Sequence, residues 1–307
     1  MNRAEIIEIL ENPSPEIIER AYQLRKQTHG KKVSVQILSN ARSGDCSQDC
    51  AYCAQSHKAE TGIDRYKMIA KEKLLEDGNI IKEKGLARHC IGLSGIRFQD
   101  KEIEEFAGYI KELKQQNDTS ICCSIGFLTK PQAIKLKEAG VNRINHNLNT
   151  SEKYYEEICS THTWRERFDN IKMLQDLGFE ICSGGIIGLG EKKEDIADLL
   201  LSFQEIKPNS IPINFLIPIE GTRKEKNDVS HLTPEYCLTV LALTRILNPT
   251  SDIRAAAGRE IYLKGHEAEL FKVVDSIFAS GYLTTKGAGI DETKQLIEAT
   301  GYECIVE

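Results

Sequence analysis

Val33-Ser-Val-Gln-Ile-Leu38 leads into Cys46-Ser-Gln-Asp-Cys50-Ala-Tyr-Cys53. The first stretch alternates apolar and polar residues, which predicts a strand with one face buried. The second carries three cysteines spaced C-x3-C-x2-C, which can turn three thiolates toward one point, a donor set suited to tetrahedral iron or zinc. With no fourth Cys or His close behind, three ligands would leave one position of a four-iron cube open, and an open position is where chemistry can occur. The spacing differs from the C-x2-C pairs of zinc ribbons and from ferredoxin runs that supply four cysteines, although a zinc or structural-iron module remains an alternative. Because the loop follows a strand, it lies at that strand's C-terminal end, where α/β barrels keep their active sites.

Six further strand-like segments follow: Arg88–Leu93, Ser120–Ile125, Val141–Asn145, Phe179–Ile187, Ser210–Leu216 and Asp252–Ala257. Helical stretches separate them, among them Lys101–Gln116, Pro131–Ala139, Trp164–Leu177, Glu191–Ile206 and Pro234–Leu247, with Gly85, Gly140 and Gly178 as closing residues. A weaker candidate strand, Val273-Val-Asp-Ser-Ile-Phe278, brings the number of βα units to about eight, the count of a complete TIM-type (β/α)8 barrel. An open doubly wound sheet is the alternative. The barrel is preferred because cysteine and polar residues recur at strand after strand, as around a shared central cavity, and no GxGxxG opens the first unit. Residues 1–30 read as a helical extension, two short helices broken at Asn12-Pro13-Ser14-Pro15 that cap the main domain. Residues 31–285 read as the barrel and 286–307 as a C-terminal tail.

A chain of 307 residues suits such a barrel as one unit. Hydrophobic residues at 40% and charged residues at 28% argue against disorder, and no run approaches the ~18 apolar residues of a spanning helix. The start lacks the apolar core of a signal peptide, so the expected location is the cytoplasm. A net charge of −6 from scattered residues suggests no nucleic-acid footprint. Ten cysteines in a reducing compartment point to metal or redox use for the clustered ones rather than to disulfides. Arg223-Lys-Glu-Lys-Asn-Asp228 reads as a solvated charged loop.

Cys90, Cys122 and Cys182 stand on three strand-like segments and Arg254 on a fourth. Inward-pointing side chains of a barrel could bring them together on the axis to hold a second iron–sulfur cluster, while the alternative is four ordinary core positions. The cysteine loop with Tyr52 before its last Cys, Asn145-His-Asn147-Leu-Asn149-Thr-Ser151, Cys182-Ser-Gly184-Gly185-Ile186-Ile-Gly-Leu-Gly-Glu191, Ile211-Pro-Ile-Asn214 and Ile253-Arg254-Ala-Ala-Ala-Gly-Arg-Glu260 together resemble the biotin synthase family of radical S-adenosylmethionine enzymes. The resemblance runs over roughly residues 30–280.

It implies that Cys46, Cys50 and Cys53 hold a 4Fe-4S cluster that binds S-adenosylmethionine, and that Cys90, Cys122, Cys182 and Arg254 hold an auxiliary iron–sulfur cluster, 2Fe-2S in the family. It further implies that Asn147 and Asn214 contact a ureido ring, and that Tyr52, Asn149, Gly184, Gly185 and Ile186 lie against S-adenosylmethionine. Asn149 stands where the family usually has Asp. Cys122-Cys123 is a doublet where the family shows one Cys, so either Cys123 packs against the helices or a bulge turns it inward as an extra ligand of a four-iron auxiliary cluster. Cys159 has no partner at metal spacing; Cys237 and Cys304 read as structural, and His89 and His146 as core or loop residues. The implied reaction is radical insertion of sulfur from the auxiliary cluster into dethiobiotin to give biotin. Its covers would be the N-terminal helices and the loop after Glu220. Implied partners are dethiobiotin, an electron donor such as flavodoxin or ferredoxin, and the iron–sulfur assembly machinery; a homodimer is compatible. A related radical enzyme with another small substrate is the alternative.

Overall fold

The computed structural model describes residues 1–86, 88–279 and 288–305. Its strands are β1 (Lys32–Arg42), β2 (Arg88–Arg97), β3 (Ser120–Phe127), β4 (Arg143–Asn145), β5 (Glu180–Cys182), β6 (Gly185–Ile187), β7 (Ser210–Phe215), β8 (Asp252–Ala255), β9 (Ser276–Ala279) and β10 (Glu303–Ile305). Its helices are α1 (Arg3–Glu11), α2 (Pro15–Thr28), α3 (Lys71–Lys84), α4 (Asp100–Gln116), α5 (Lys130–Ala139), α6 (Tyr155–Ile158), α7 (Trp164–Asp176), α8 (Lys193–Ile206), α9 (Pro234–Leu247), α10 (Arg259–Tyr262), α11 (Glu267–Val273) and α12 (Ile290–Ala299).

All strand pairings are parallel, and β9 pairs with β1, so the sheet closes on itself. β5 and β6 are two pieces of one strand, which makes eight staves, the TIM-type barrel rather than the open sheet. The interruption falls at Ser183-Gly184, where a side chain is excluded: a Cβ on Gly184 would lie 1.8 Å from the Pro212 carbonyl oxygen of β7. Helix boundaries follow local chemistry. Thr129 and Gln132 form a capping box at the start of α5, whose end turns on Gly140 at φ +108°, and Thr163 and Glu166 do the same for α7.

Several expectations need correction. The final stave is Ser276–Ala279, because Val273 still belongs to α11 and the chain turns at Val274-Asp275 before entering the sheet. The N-terminal helices do not cover the cysteine face. α1 packs on α8 and α9, α2 on α9 and α11. The buried Arg25 guanidinium donates to Lys32 O at 2.6 Å and Val274 O at 2.7 Å, at the points where chain enters β1 and β9. That is the opposite end of the barrel from the cysteine loop. The boundary expected at 285/286 lies outside the described residues, and within 288–305 the chain forms α12 and adds β10 beside the start of β1. Among the described residues no helix is long and apolar enough to cross a membrane.

Candidate active site

The barrel's C-terminal end opens into a cavity of about 290 Å³, close to the lower end of the roughly 300–1,000 Å³ range of ligand pockets. Tyr52, Cys53, Cys90, Cys122, Cys182, Arg254, Asn147, Asn149, Ile186 and Asn214 all line it. Cys46, Cys50, Gly184 and Gly185 are not on its wall, the first two being half-buried in the loop behind Cys53.

The cysteine loop is held by its backbone. Cys46 N–H donates to Gln55 O at 3.0 Å, Cys53 N–H to Cys50 O at 3.1 Å, and Ala51 N–H to Ile158 O at 2.8 Å. Burial pushes the Cys53 thiol up to about 11, with Cys46 adding to the effect. A bound cation would reverse that shift, since a metal holds its sulfur ligands deprotonated.

Cys90, Cys122 and Cys182 form a buried group of their own against Leu38 and Phe278. Alternation on β3 puts Cys122 in this group and Cys123 in the helix-facing core, fully buried. Register between β2 and β3 is unbroken from Arg88/Ser120 to Leu93/Ile125, so no bulge turns Cys123 inward, and the extra-ligand expectation is not met. The Cys90 thiol is lowered by its hydrogen bond with Cys122 and by the charge of Arg254. Arg254 is itself committed on one side: Nε donates to Ser276 Oγ at 2.9 Å and Nη2 to Asp252 Oδ2 at 2.8 Å. Its charge, more than its donor atoms, is what it brings to the thiols.

Asn147 Oδ1 accepts from Asn145 Nδ2 at 3.1 Å and from Gly184 N–H at 3.0 Å, so its amino group is what it offers the cavity. Asn214 is already a bridge, donating to Gly185 O and accepting from Ala257 N–H, both at 3.2 Å. Asn149 sits at φ +69°, a left-handed conformation that Asn adopts more readily than most residues. Its backbone exchanges hydrogen bonds with Gly184 O and Ile186 N–H. Gly184 and Gly185 thus serve close packing, and only Ile186 of that run reaches the cavity. His89 and His146 are buried, His89 against Ser39 Oγ at 2.7 Å and His146 edge-on to Phe127.

Two features were not legible in the sequence. Cys159 Sγ lies 3.8 Å from Cys50 Sγ and also meets Asp49 and His162. Arg223, read as solvated, donates to Asp49 O at 2.7 Å, Lys224 to Leu189 O at 2.5 Å and Asn227 to Gly188 O at 2.5 Å, while Glu60 N–H reaches Gly221 O at 3.0 Å. The loop after Glu220 is therefore tied over the cysteine loop, and Leu216, Ile217 and Ile219 before it form part of the cavity wall.

The donors suit iron–sulfur clusters better than one zinc ion. A tetrahedral zinc would draw its sulfurs to about 3.8 Å apart, yet among the described residues the one group of His, Cys, Asp or Glu with ligand atoms all within 4.8 Å is Cys50, Cys159 and His162. His162 has no lone pair free for a metal in that group. Nε2 accepts from Arg167 Nε at 3.0 Å, which fixes the proton on Nδ1, and Nδ1 faces Gln48 Oε1 at 2.8 Å. In neither cysteine triplet do all three sulfurs come within 4.8 Å of one another.

Residues 15–203 match the Radical SAM superfamily and residues 212–303 the Biotin and Thiamin Synthesis associated domain. The chain is 39% identical to a biotin synthase of Sulfurihydrogenibium sp. (strain YO3AOP1) and 41% identical to one of Bacillus cereus (strain AH187), each match covering 99% of this chain and 92% of the relative. In fold it is similar to methylornithine synthase (TM-score 0.85, 17% identity, 99% of this chain and 94% of that one). It is also similar to the hydrogenase maturase HydG of Carboxydothermus hydrogenoformans (TM-score 0.85, 16% identity, 98% and 75%). The two-cluster donor arrangement, the closed barrel and near full-length identity to these relatives converge: the chain belongs to the biotin synthase family, radical S-adenosylmethionine enzymes that carry a 4Fe-4S cluster and an auxiliary iron–sulfur cluster and insert sulfur.

Proposed function

We propose that this chain converts dethiobiotin to biotin, with Cys46, Cys50 and Cys53 holding the 4Fe-4S cluster and Cys90, Cys122, Cys182 and Arg254 surrounding the auxiliary cluster as the sulfur source. The observation that carries the reading is one cavity lined both by Cys53 and by the buried three-cysteine group. When bound, the first cluster and S-adenosylmethionine supply one-electron hydrogen abstraction from an unactivated C–H, which side-chain acids and bases cannot perform.

The chain's residues bind, orient and exclude. Asn147 presents its amino group to the ureido carbonyl, its oxygen being fixed by Asn145 and Gly184. Asn214 holds the cavity wall and offers the ring what capacity its two backbone bonds leave. Tyr52, Asn149 and Ile186 line the cavity where they would hold S-adenosylmethionine, with Gly184 and Gly185 packed behind them. The Arg254 charge favours thiolate at Cys90. Leu216, Ile217 and Ile219 shield the cavity beneath the tied loop, keeping water from a reactive centre.

Residues 31–285 form the catalytic unit in this reading, flanked by the 1–30 extension and the 286–307 tail. The setting is cytoplasmic, with an electron donor such as flavodoxin or ferredoxin and the assembly machinery supplying clusters; a homodimer is compatible with this reading. The test is anaerobic reconstitution with S-adenosylmethionine, dethiobiotin and a reductant. The parent is expected to form 5′-deoxyadenosine and biotin, and Cys90→Ala to form 5′-deoxyadenosine without biotin. Biotin production by Cys90→Ala at the parental level would overturn the assignment of the sulfur source.

A further inference from the structure

On β1, Val33, Val35 and Ile37 lie in the helix-facing core, so the alternate residues Ser34, Gln36 and Leu38 face the barrel interior. Leu38 packs against the Cys90, Cys122 and Cys182 group. Gln36 is 0% exposed, and its Oε1 accepts the Cys90 thiol proton at 3.2 Å. Its Nε2 is buried with no hydrogen-bond partner among the described residues. Its register neighbours, Arg88 on β2 and Phe278 on β9, carry no side-chain acceptor. An unpaired amino group in a dry interior is destabilising, and Leu or Met would fill the same space without it.

We propose that Gln36 is a positioning residue for the auxiliary cluster, its amide N–H donating to the Cys90 sulfur. The inference rests on reading Cys90, Cys122 and Cys182 as cluster ligands. A metal-bound Cys90 is a thiolate with no proton to give, so the bond it makes as a free thiol cannot persist. A half-turn of the Gln36 carboxamide exchanges two atoms of nearly equal size and brings Nε2 to the sulfur. One motion removes the oxygen–thiolate repulsion and satisfies the idle donor. Hydrogen bonds to cluster sulfurs hold the ligand in orientation and favour the more reduced, more negative state, so Gln36 raises the potential of this centre.

The test compares full-length parent with Gln36→Leu, Gln36→Met and Gln36→Glu after anaerobic reconstitution. Iron and sulfide per chain, the auxiliary centre's reduction potential and its resonance Raman iron–sulfur frequencies are measured. Leu and Met are expected to keep both centres and move the auxiliary potential to more negative values with shifted frequencies; Met guards against a folding failure of Leu. Glu replaces the amide donor by a carboxyl that is an acceptor when ionised and must stay protonated in this buried place to donate, so it is expected to weaken retention of the auxiliary cluster against a chelator, roughly 10- to 100-fold above the carboxyl's pKa, the first cluster being retained. Parental potential and frequencies in Leu or Met at parental iron content overturn the inference. A parent without an auxiliary centre, or Cys90→Ala that keeps it, instead overturns the site reading, and the inference with it.

Discussion

Cys159 Sγ lies 3.8 Å from Cys50 Sγ, although 109 residues separate them. The hydrogen bond to Cys159, with burial, holds the Cys50 thiol well above its ordinary range, while hydrogen bonds from Cys50, His162 and Thr161 lower Cys159 to about 4. With three cysteines on one loop as the proposed ligand set, Cys159 is expected to be a neighbour of that set rather than a member of it. Cys159→Ser is expected to keep its iron and cleave S-adenosylmethionine within roughly threefold of the parent, whereas Cys50→Ser abolishes cleavage. Iron analysis and 5′-deoxyadenosine formation check both, and equal loss in the two variants would make Cys159 a ligand.

Asn147 and Asn214 are predicted to differ in their effect on affinity. Asn147 turns its amino group to the cavity while its oxygen holds Asn145 and the Gly184 N–H, so Asn147→Ala should weaken dethiobiotin binding by about 1–3 kcal/mol, roughly 5- to 150-fold, and also lower the melting temperature. Asn214 uses both ends of its amide to bridge Gly185 and Ala257, so Asn214→Ala should lower the melting temperature with a smaller loss of affinity. Calorimetric titration and thermal melts on loaded protein measure both quantities. Equal losses of affinity would mean that the amino group of Asn147 is not what distinguishes them.

Cys123→Ala is expected to leave total iron and its Mössbauer speciation unchanged and to cost about 1 kcal/mol of stability, the effect of a small void in the helix-facing core. Loss of a four-iron signal would return Cys123 to the ligand set.

The barrel was legible because short apolar strand-like segments take turns with helical stretches along the chain and the α5 and α7 caps are written in Thr-x-x-Gln and Thr-x-x-Glu. The position of the cysteine loop after β1 was legible because its spacing is local. What escaped was set by tertiary approach. Cys159 meets Cys50 only after α6 folds onto the loop, through Ala51 N–H to Ile158 O. Arg223 looks solvated in a run of charges, yet backbone carbonyls of Asp49 and Ile158 fall within its reach. The role of α2 depended on which end of the barrel receives Arg25, and periodicity does not encode that direction.

Gly184→Ala tests the broken stave directly. The added Cβ would lie 1.8 Å from Pro212 O, a backbone atom that cannot swing aside. The expected cost is at least about 3 kcal/mol, read as loss of soluble, iron-loaded protein or a sharply lowered melting temperature. A variant as stable as the parent would show that β5 and β6 can separate from β7 without penalty.

The far end of the barrel carries a pH dependence that does not involve the clusters. His29, with a side chain 24% exposed, is lowered from 6.5 to about 4 by burial and by the charges of Arg245 and Arg25, which outweigh the Asp275 carboxylate 3.7 Å from its Nδ1. Arg245 Nη1 sits 3.3 Å from His29 Nε2. Unfolded, His29 takes a proton near pH 6.5; folded, it resists until about pH 4. The unfolded state therefore binds more protons in that window, so stability rises with pH across it and is lost as pH falls from 6.5 to 4. The full shift corresponds to about 3 kcal/mol, and partial exposure and salt reduce it to roughly 1–3 kcal/mol. His29→Gln removes the titrating group while keeping a polar side chain beside Arg245. Denaturant unfolding between pH 7 and 4 should show a shallower acid decline in His29→Gln than in the parent by that amount, and identical slopes would rule His29 out as the source.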